Sequence, residues 1–255
     1  MTLQVRDLVK HFGGVRALDG VSFDVAPGEC VALIGPNGAG KSTCFACIAG
    51  QQRPLAGAIT WDGQRMECLS PAQRLRRGVA RTFQVAQTFE ALTVRHNVQL
   101  VASAHRGLPA WNRLDRVDRS TAEALLDRVG LLPLADADVL NLPYGAKKRL
   151  ELAMALASRP ALLLLDEPAA GLAGPERASL MRLVQSFAQG GTAVLYTEHN
   201  MDAVFGVADR VLVLIDGKLF AQGSAADIAA DPTVRRRYLG DAGATAPAAP
   251  TQEEA

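Results

Sequence analysis

With 255 residues, 49% hydrophobic and 21% charged, the chain can form one large domain, or a domain with an inserted lobe, around a sizeable core. Its 27 Lys and Arg stand against 26 Asp and Glu, and the resulting formal charge of +1 excludes a global attraction to nucleic acid. Cys30, Cys44, Cys47 and Cys68 follow no disulfide spacing, which points to a reducing compartment, the cytosol by default. MTLQVRDLVK carries charge where a signal peptide needs an apolar core, and no apolar run approaches the ~18 residues of a spanning helix.

Residues 2–9 and 20–25 alternate apolar and polar, as half-buried antiparallel strands do, with a turn at His11-Phe12-Gly13-Gly14 between them. Pro27-Gly28 turns the chain into an apolar strand, Cys30 to Ile34, followed by GPNGAGKST from Gly35 to Thr43 and a helical run to Ala49. Cys44 and Cys47 form C-x-x-C on that helix without a second pair at ligand spacing, so they are expected to be buried packing residues. Gly57 to Trp61 reads as a strand closed by the hairpin signal Asp62-Gly63. Pro71 to Arg77 reads as a helix capped by Ser70, with Arg74, Arg76 and Arg77 as its solvated face. Val79 to Phe83 is a strand that finishes at Gln84.

From Val85 the pattern changes to helices, including 94–104 and 121–129, around a loop with Gly107 and Pro109. Parallel-sheet rhythm returns at Ala161 to Leu165, Thr192 to Tyr196 and Arg210 to Ile215, with helices at 175–188 and 201–207 between them. The expected fold is therefore α/β: a phosphate-loop core with a mostly parallel sheet, N-terminal antiparallel strands and a helical subdomain over about 85–158, all within a domain of residues 1–240. Residues 241–255 have neither aromatics nor period and are expected to be a disordered tail.

GPNGAGKST matches G-x-x-x-x-G-K-[ST] between a strand and a helix, the context its mechanism needs. Gly35, Gly38 and Gly40, in a loop shared with Pro36, Asn37 and Ala39, let the main chain bring N–H groups of its non-proline residues against phosphate oxygens. A helix opening at Lys41 adds unpaired donors at Lys41, Ser42 and Thr43 and the positive end of its dipole. Lys41 can reach the β and γ phosphates, and the Ser42 hydroxyl can ligate Mg²⁺. The leucine strand ends in Asp166-Glu167, at the carboxyl edge where parallel sheets hold ligands. Asp166 there suits the Mg²⁺ shell, and Glu167 suits a water aimed in line. Gln84 and His199 close two further strands; the amide oxygen of Gln84 suits Mg²⁺ or water, and His199 suits a γ-phosphate or the attacking water. Phe12 is an aromatic that could stack on a purine ring.

GPNGAGKST at 35, RTFQ at 81, LPYGAKKRLELAMALA from 142, LLLLDEPAAGL from 162 and YTEHN at 196 together resemble the ATP-binding subunits of ABC transporters, over residues 1 to about 240. The resemblance implies ATP and Mg²⁺ as cofactors. It further implies Phe12 as the adenine-stacking aromatic, Gln84 as the Q-loop residue, Glu167 as the hydrolytic glutamate and His199 as the switch histidine. It also implies two such subunits head to tail, each closing its signature stretch on the other's nucleotide, beneath two membrane-spanning permease subunits. That places the chain peripherally on the cytoplasmic face of the membrane, with an extracytoplasmic binding protein as an indirect partner and no nucleic acid.

Two departures from the family pattern stand out. The signature, usually LSGGQ, reads Leu142-Pro143-Tyr144-Gly145-Ala146 and lacks the serine hydroxyl, although Gly145 and the helix N-terminus keep backbone donors. Ala173 replaces the Asp or Asn frequent in the D-loop. Both weaken what this chain offers the opposite site, so a heterodimer with unequal sites is expected. YGAKKRLELA, EPAAGL, YTEHNM and ADPTVRRRYLGD are similar to branched-chain and hydrophobic amino acid importers, in the larger of their two ATPase subunits. The last of these also occurs in lipid and lipopolysaccharide exporters, the alternative transport reading. A soluble non-transport ABC ATPase fits less well, since there is no second ATPase domain and no heptad run. Val85 to Leu92, with Phe89, is expected to receive a membrane-subunit helix, and the runs Lys147 to Arg149 and Arg235 to Arg237 are expected to be solvated helix faces.

Overall fold

The computed structural model describes residues 1–82, 87–105 and 119–239. Gln84, Val85, the loop around Gly107 and Pro109, and the 241–255 tail lie outside the described residues.

Two sheets share the chain. Strands β1 (Leu3–Phe12), β2 (Val15–Val25), β4 (Ala56–Trp61) and β5 (Gln64–Arg65) form an antiparallel sheet of order β2-β1-β4-β5. The second sheet, of order β10-β9-β3-β8-β7-β6, contains β3 (Cys30–Ile34), β6 (Val79–Arg81), β7 (Leu162–Asp166), β8 (Ala193–Thr197), β9 (Arg210–Ile215) and β10 (Lys218–Gly223). It is parallel except for the β9–β10 hairpin. The helices are α1 (Lys41–Ala49), α2 (Pro71–Arg76), α3 (Val94–His105), α4 (Arg119–Arg128), α5 (Tyr144–Ala157), α6 (Gly174–Gln189), α7 (Met201–Phe205), α8 (Ala225–Ala230) and α9 (Pro232–Val234), the last running into a helical turn at Arg235–Leu239, with short 3-10 turns at Leu132–Leu134 and Val139–Asn141. Helices α3, α4 and α5 come between β6 and β7, as the helical subdomain.

Successive side chains of a strand point to opposite faces, and here both faces are apolar. Val31, Leu33, Leu162, Leu164 and Leu195 pack toward α1 and the antiparallel sheet; Ala32, Ile34, Leu163, Leu165 and Tyr196 pack toward the side of α5, α6 and α7. The six-stranded sheet is thus a middle layer, which is why β3 and β7 read as unbroken apolar runs. Each leucine so enclosed is worth about 1.5–3 kcal/mol relative to exposure. Because β3, β6, β7 and β8 run parallel, the residues that follow them gather at one edge: Asp166 lies opposite Thr197, and Leu33 opposite Thr197 on its other side.

Several expectations change. The first hairpin is longer than the alternation suggested, since β1 continues to Phe12 and β2 begins at Val15; register shifts along β1 interrupt the period. Arg74 does not belong to a solvated face. Its side chain is buried, with Nη1 donating to Cys47 O and Ile48 O at 2.6 Å each and Nε donating to Leu69 O at 3.1 Å, so it caps the carboxyl end of α1. Ser70 does cap α2, in a reciprocal box with Gln73.

The run on α5 is likewise not a solvated face. Lys148 is buried with Nζ 3.9 Å from Glu151 and 5.8 Å from the Tyr144 ring, while Arg149 donates to Val129 O and Ser179 Oγ. Burial lowers the affinity of the Lys148 ammonium for its proton, against the pull of Glu151, Glu198, Glu167 and Asp166. In the C-terminal run, Arg236 and Arg237 are exposed, with Arg237 5.1 Å from the Phe220 ring centroid. Cys44 and Cys47 are fully enclosed in the core, and Cys68 alone is exposed.

Candidate nucleotide site

The phosphate loop is fixed from outside itself. A Cβ on Gly35 (φ 151°) would stand 2.0 Å from Leu214 O, and one on Gly40 (φ 103°) 2.2 Å from Ala17 O, so β9 and β2 press on the loop where only glycine leaves room. Gly217 N donates to Ala39 O, and Asp19 N donates to Gly217 O, which ties the β9–β10 turn and β2 to the same loop. Gly40 starts α1 without a side-chain cap, leaving the first-turn amides of Lys41, Ser42 and Thr43 to an anion. Lys41 Nζ turns back on the loop, donating to Gly35 O at 2.6 Å and Pro36 O at 3.0 Å. Burial depresses its pKa, while the charges of Glu167 and Asp166 raise it.

Across the loop, Asp166 ends β7. Thr197 Oγ1 donates to Asp166 Oδ1 at 2.9 Å, and Arg81 Nη2 lies 2.9 Å from Oδ2. Glu167 follows in the left-handed region, φ 48°, a conformation costing a non-glycine residue about 1–3 kcal/mol. Its N–H is shared between Thr197 O at 3.2 Å and Thr197 Oγ1 at 3.0 Å, so one threonine holds both acids. Glu167 Oε1 meets His199 Nε2 at 2.9 Å. Between them in sequence, Glu198 turns inward, buried, and accepts from Ala169 N at 2.8 Å. Burial raises its pKa above the ordinary carboxylate range, against the hydrogen bonds from Ala169 and His199 N–H.

The fold therefore brings together Lys41, Asp166, Glu167 and His199, at the end of one sheet, with Ser42 exposed at the first turn of α1. Phe12 is exposed near the tip of the first hairpin, its ring 5.0 Å from Lys10 Nζ, on the hairpin whose return strand presses on the phosphate loop. For a metal, the donor set is hard oxygen: the Ser42 hydroxyl and the Asp166 carboxylate. Among the described residues no group of three or more His, Cys, Asp or Glu could hold an ion alone. That fits Mg²⁺, which is held by one or two protein oxygens together with phosphates and water. Of the signature residues, Pro143 precedes α5 without a side-chain cap, Leu142 is buried, Ala146 is half-buried, and the exposed Tyr144 packs on Gly171. Gly145 is covered by the Glu176 carboxylate from the first turn of α6. Ala173 precedes α6, also without a side-chain cap.

Sequence reasoning did not find Thr197, Glu198, Arg81 or Glu176 as parts of this site. Arg81 and Asp166 are 85 positions apart, and only the β6–β7 pairing makes them neighbours.

Comparison with known proteins bears on the family and the fold. A family model described as ABC transporter matches residues 18–170. The chain is 39% identical over 250 residues, 94% of its length and 98% of the relative's, to the high-affinity branched-chain amino acid transport ATP-binding protein LivG of Escherichia coli (strain K12). It is 36% identical over 252 residues, with the same coverage of each chain, to the corresponding protein BraF of Pseudomonas aeruginosa. Among solved structures, a nucleotide-free ATP-binding cassette from an ABC transporter superposes with TM-score 0.83 at 28% identity, covering 94% of this chain and all, 100%, of that one. A cassette in its ADP conformation gives TM-score 0.83 at 30% identity with the same coverage.

Proposed function

The chain belongs to the ABC transporter family of ATP-binding subunits, and from that premise we propose that its ATP hydrolysis powers the import of branched-chain or other hydrophobic amino acids. The similarity to LivG and BraF over 94% of the chain carries this reading. No helix among the described residues is long and apolar enough to cross a membrane. In this reading two separate permease subunits form the path for substrate. The chain docks on their cytoplasmic face, and selectivity lies with them and with an extracytoplasmic binding protein.

Within the site, Gly35 to Thr43 cradle the phosphates of ATP through main-chain amides, and Lys41 exchanges its loop carbonyls for phosphate oxygens. Phe12 stacks on the adenine. Ser42, Asp166 and Gln84 would hold Mg²⁺, which would supply charge neutralisation on the phosphates. Glu167 orients the attacking water and accepts its proton, with His199 setting the direction of that carboxylate through their 2.9 Å contact. Leu142 to Ala146 meet the nucleotide of a second ATPase subunit. Lacking the signature serine, they contribute less there, so the pair is a heterodimer with unequal sites.

Reconstitution of the chain with its cognate permease and second ATPase subunit in proteoliposomes tests the proposal. ATP-dependent uptake of leucine, lost in Glu167→Gln, is the expected result. ATPase stimulated by lipid and indifferent to leucine and its binding protein would instead support the exporter reading. Full-rate turnover at both sites of a homodimer would contradict the heterodimer.

A further inference from the structure

Asp166 is gripped from two sides, by the Thr197 hydroxyl and by the Arg81 guanidinium. Both members of the Arg81–Asp166 pair are largely withdrawn from water, with side-chain exposures of 11% and 12%, so salt screens the contact far less than a surface pair. Arg81 is itself anchored. Its Nη1 donates to Gln51 Oε1 in the turn after α1, and its guanidinium carbon lies 5.9 Å from the centroid of the Phe45 ring on α1. A cation fastened in this way to the helix of the phosphate loop holds its position at the end of β7.

Its charge bears on how a metal enters. Arg81 cancels the Asp166 charge locally, and a neutral side chain in its place would add one unit of negative charge beside the site. A lone divalent cation arriving at Asp166 meets a carboxylate that is already paired. A polyphosphate brings its own negative charge and shifts that balance toward binding the cation. We propose that Arg81 is a positioning residue for the metal site, fixing the Asp166 carboxylate and holding down its affinity for a lone divalent cation, so that metal is taken up together with nucleotide. This rests on the reading of Asp166 as a metal ligand.

Mn²⁺ is the probe, with the free ion followed by electron paramagnetic resonance in solutions of the full chain, with and without ATP. Without nucleotide, Arg81→Met is expected to bind Mn²⁺ about tenfold more tightly than wild type. Arg81→Lys, which keeps the charge but not the fork between Gln51 and Asp166, and Gln51→Ala, which releases one end of the guanidinium at an exposed position, should both fall between. Equal Mn²⁺ affinity in wild type, Arg81→Met and Gln51→Ala overturns the inference. Should Arg81→Met fail to fold in a thermal melt, the comparison of Gln51→Ala with wild type decides alone. Asp166→Asn separates the two layers of the argument. If it leaves Mn²⁺ uptake with ATP unchanged, the metal role of Asp166 falls and the inference with it. If it weakens uptake while Arg81→Met changes nothing, only the assignment of Arg81 falls.

Discussion

Replacing Arg74 by methionine keeps most of the side-chain volume and removes the guanidinium that closes the end of α1. Two carbonyls, Cys47 O and Ile48 O, would lose donors at 2.6 Å, and Leu69 O one at 3.1 Å. Cys47 O keeps the Gly50 N–H at 3.2 Å, so the unsatisfied acceptors are Ile48 O and Leu69 O, at roughly 1–3 kcal/mol each, and losing a cation at a helix C-terminus adds about 0.3–2 kcal/mol. Against this stands the relief of desolvating a guanidinium, which also depresses the pKa of Arg74. The net expectation is a loss of about 3 kcal/mol, or roughly 6–12 °C in melting temperature for a domain of this size. Urea unfolding of wild type and Arg74→Met, with the slope checked for constancy, measures it. An arginine on a solvated face would change stability by no more than about 0.5 kcal/mol. A measured loss below about 1 kcal/mol would therefore refute the cap.

Gly40→Ala places a Cβ 2.2 Å from Ala17 O at a φ of 103°, so the loop must move and ATP affinity should fall at least about tenfold; unchanged affinity in a nucleotide titration would speak against the fixed cradle. Burial pushes the thiol of Cys30 up to about 12 and that of Cys47 up to about 11, and raises Cys44 further, so at pH 8 only Cys68 should react quickly with a disulfide reagent; a second fast thiol in the native protein would contradict the packing. Glu198 has a raised pKa in the folded state, first through burial and also through the Glu167 charge. Its ionised form thus costs stability above the folded pKa, and the cost fades as pH falls toward the unfolded value. Glu198→Gln, whose amide oxygen can still accept from Ala169 N, should gain melting temperature relative to wild type at pH 8 and less of it at pH 5. A gain that grows as pH falls would reverse the assigned sign.

What the sequence made legible follows from what each pattern depends on. Strands buried on both faces must be apolar throughout, so β3, β7, β8 and β9 could be placed to within a residue or so, and the loops after them inherited the edge of the sheet. The phosphate loop was legible because its chemistry is written in consecutive residues. Charges were misread where their partners are distant: Arg74 and Lys148 look like surface cations until α1 offers its carbonyls and Glu151 its carboxylate within a packed interior. The hairpin β9–β10 and helices α8 and α9 went unread, since β10 is an edge strand of half-exposed residues with weak alternation. Thr197 gave no signal of its own, because its double role exists only through the pairing of β7 with β8.

The central claim is that main-chain amides and Lys41 grip a polyphosphate while Glu167 stands opposite to activate water. Equilibrium titration of fluorescent ATP with Mg²⁺ into wild type and Glu167→Gln, paired with phosphate release on the same samples, tests it most directly. Both proteins should bind nucleotide with comparable affinity, and only wild type, assembled with its partner subunits, should release phosphate. Absence of Mg-ATP binding by wild type, or turnover undiminished in Glu167→Gln, would contradict it.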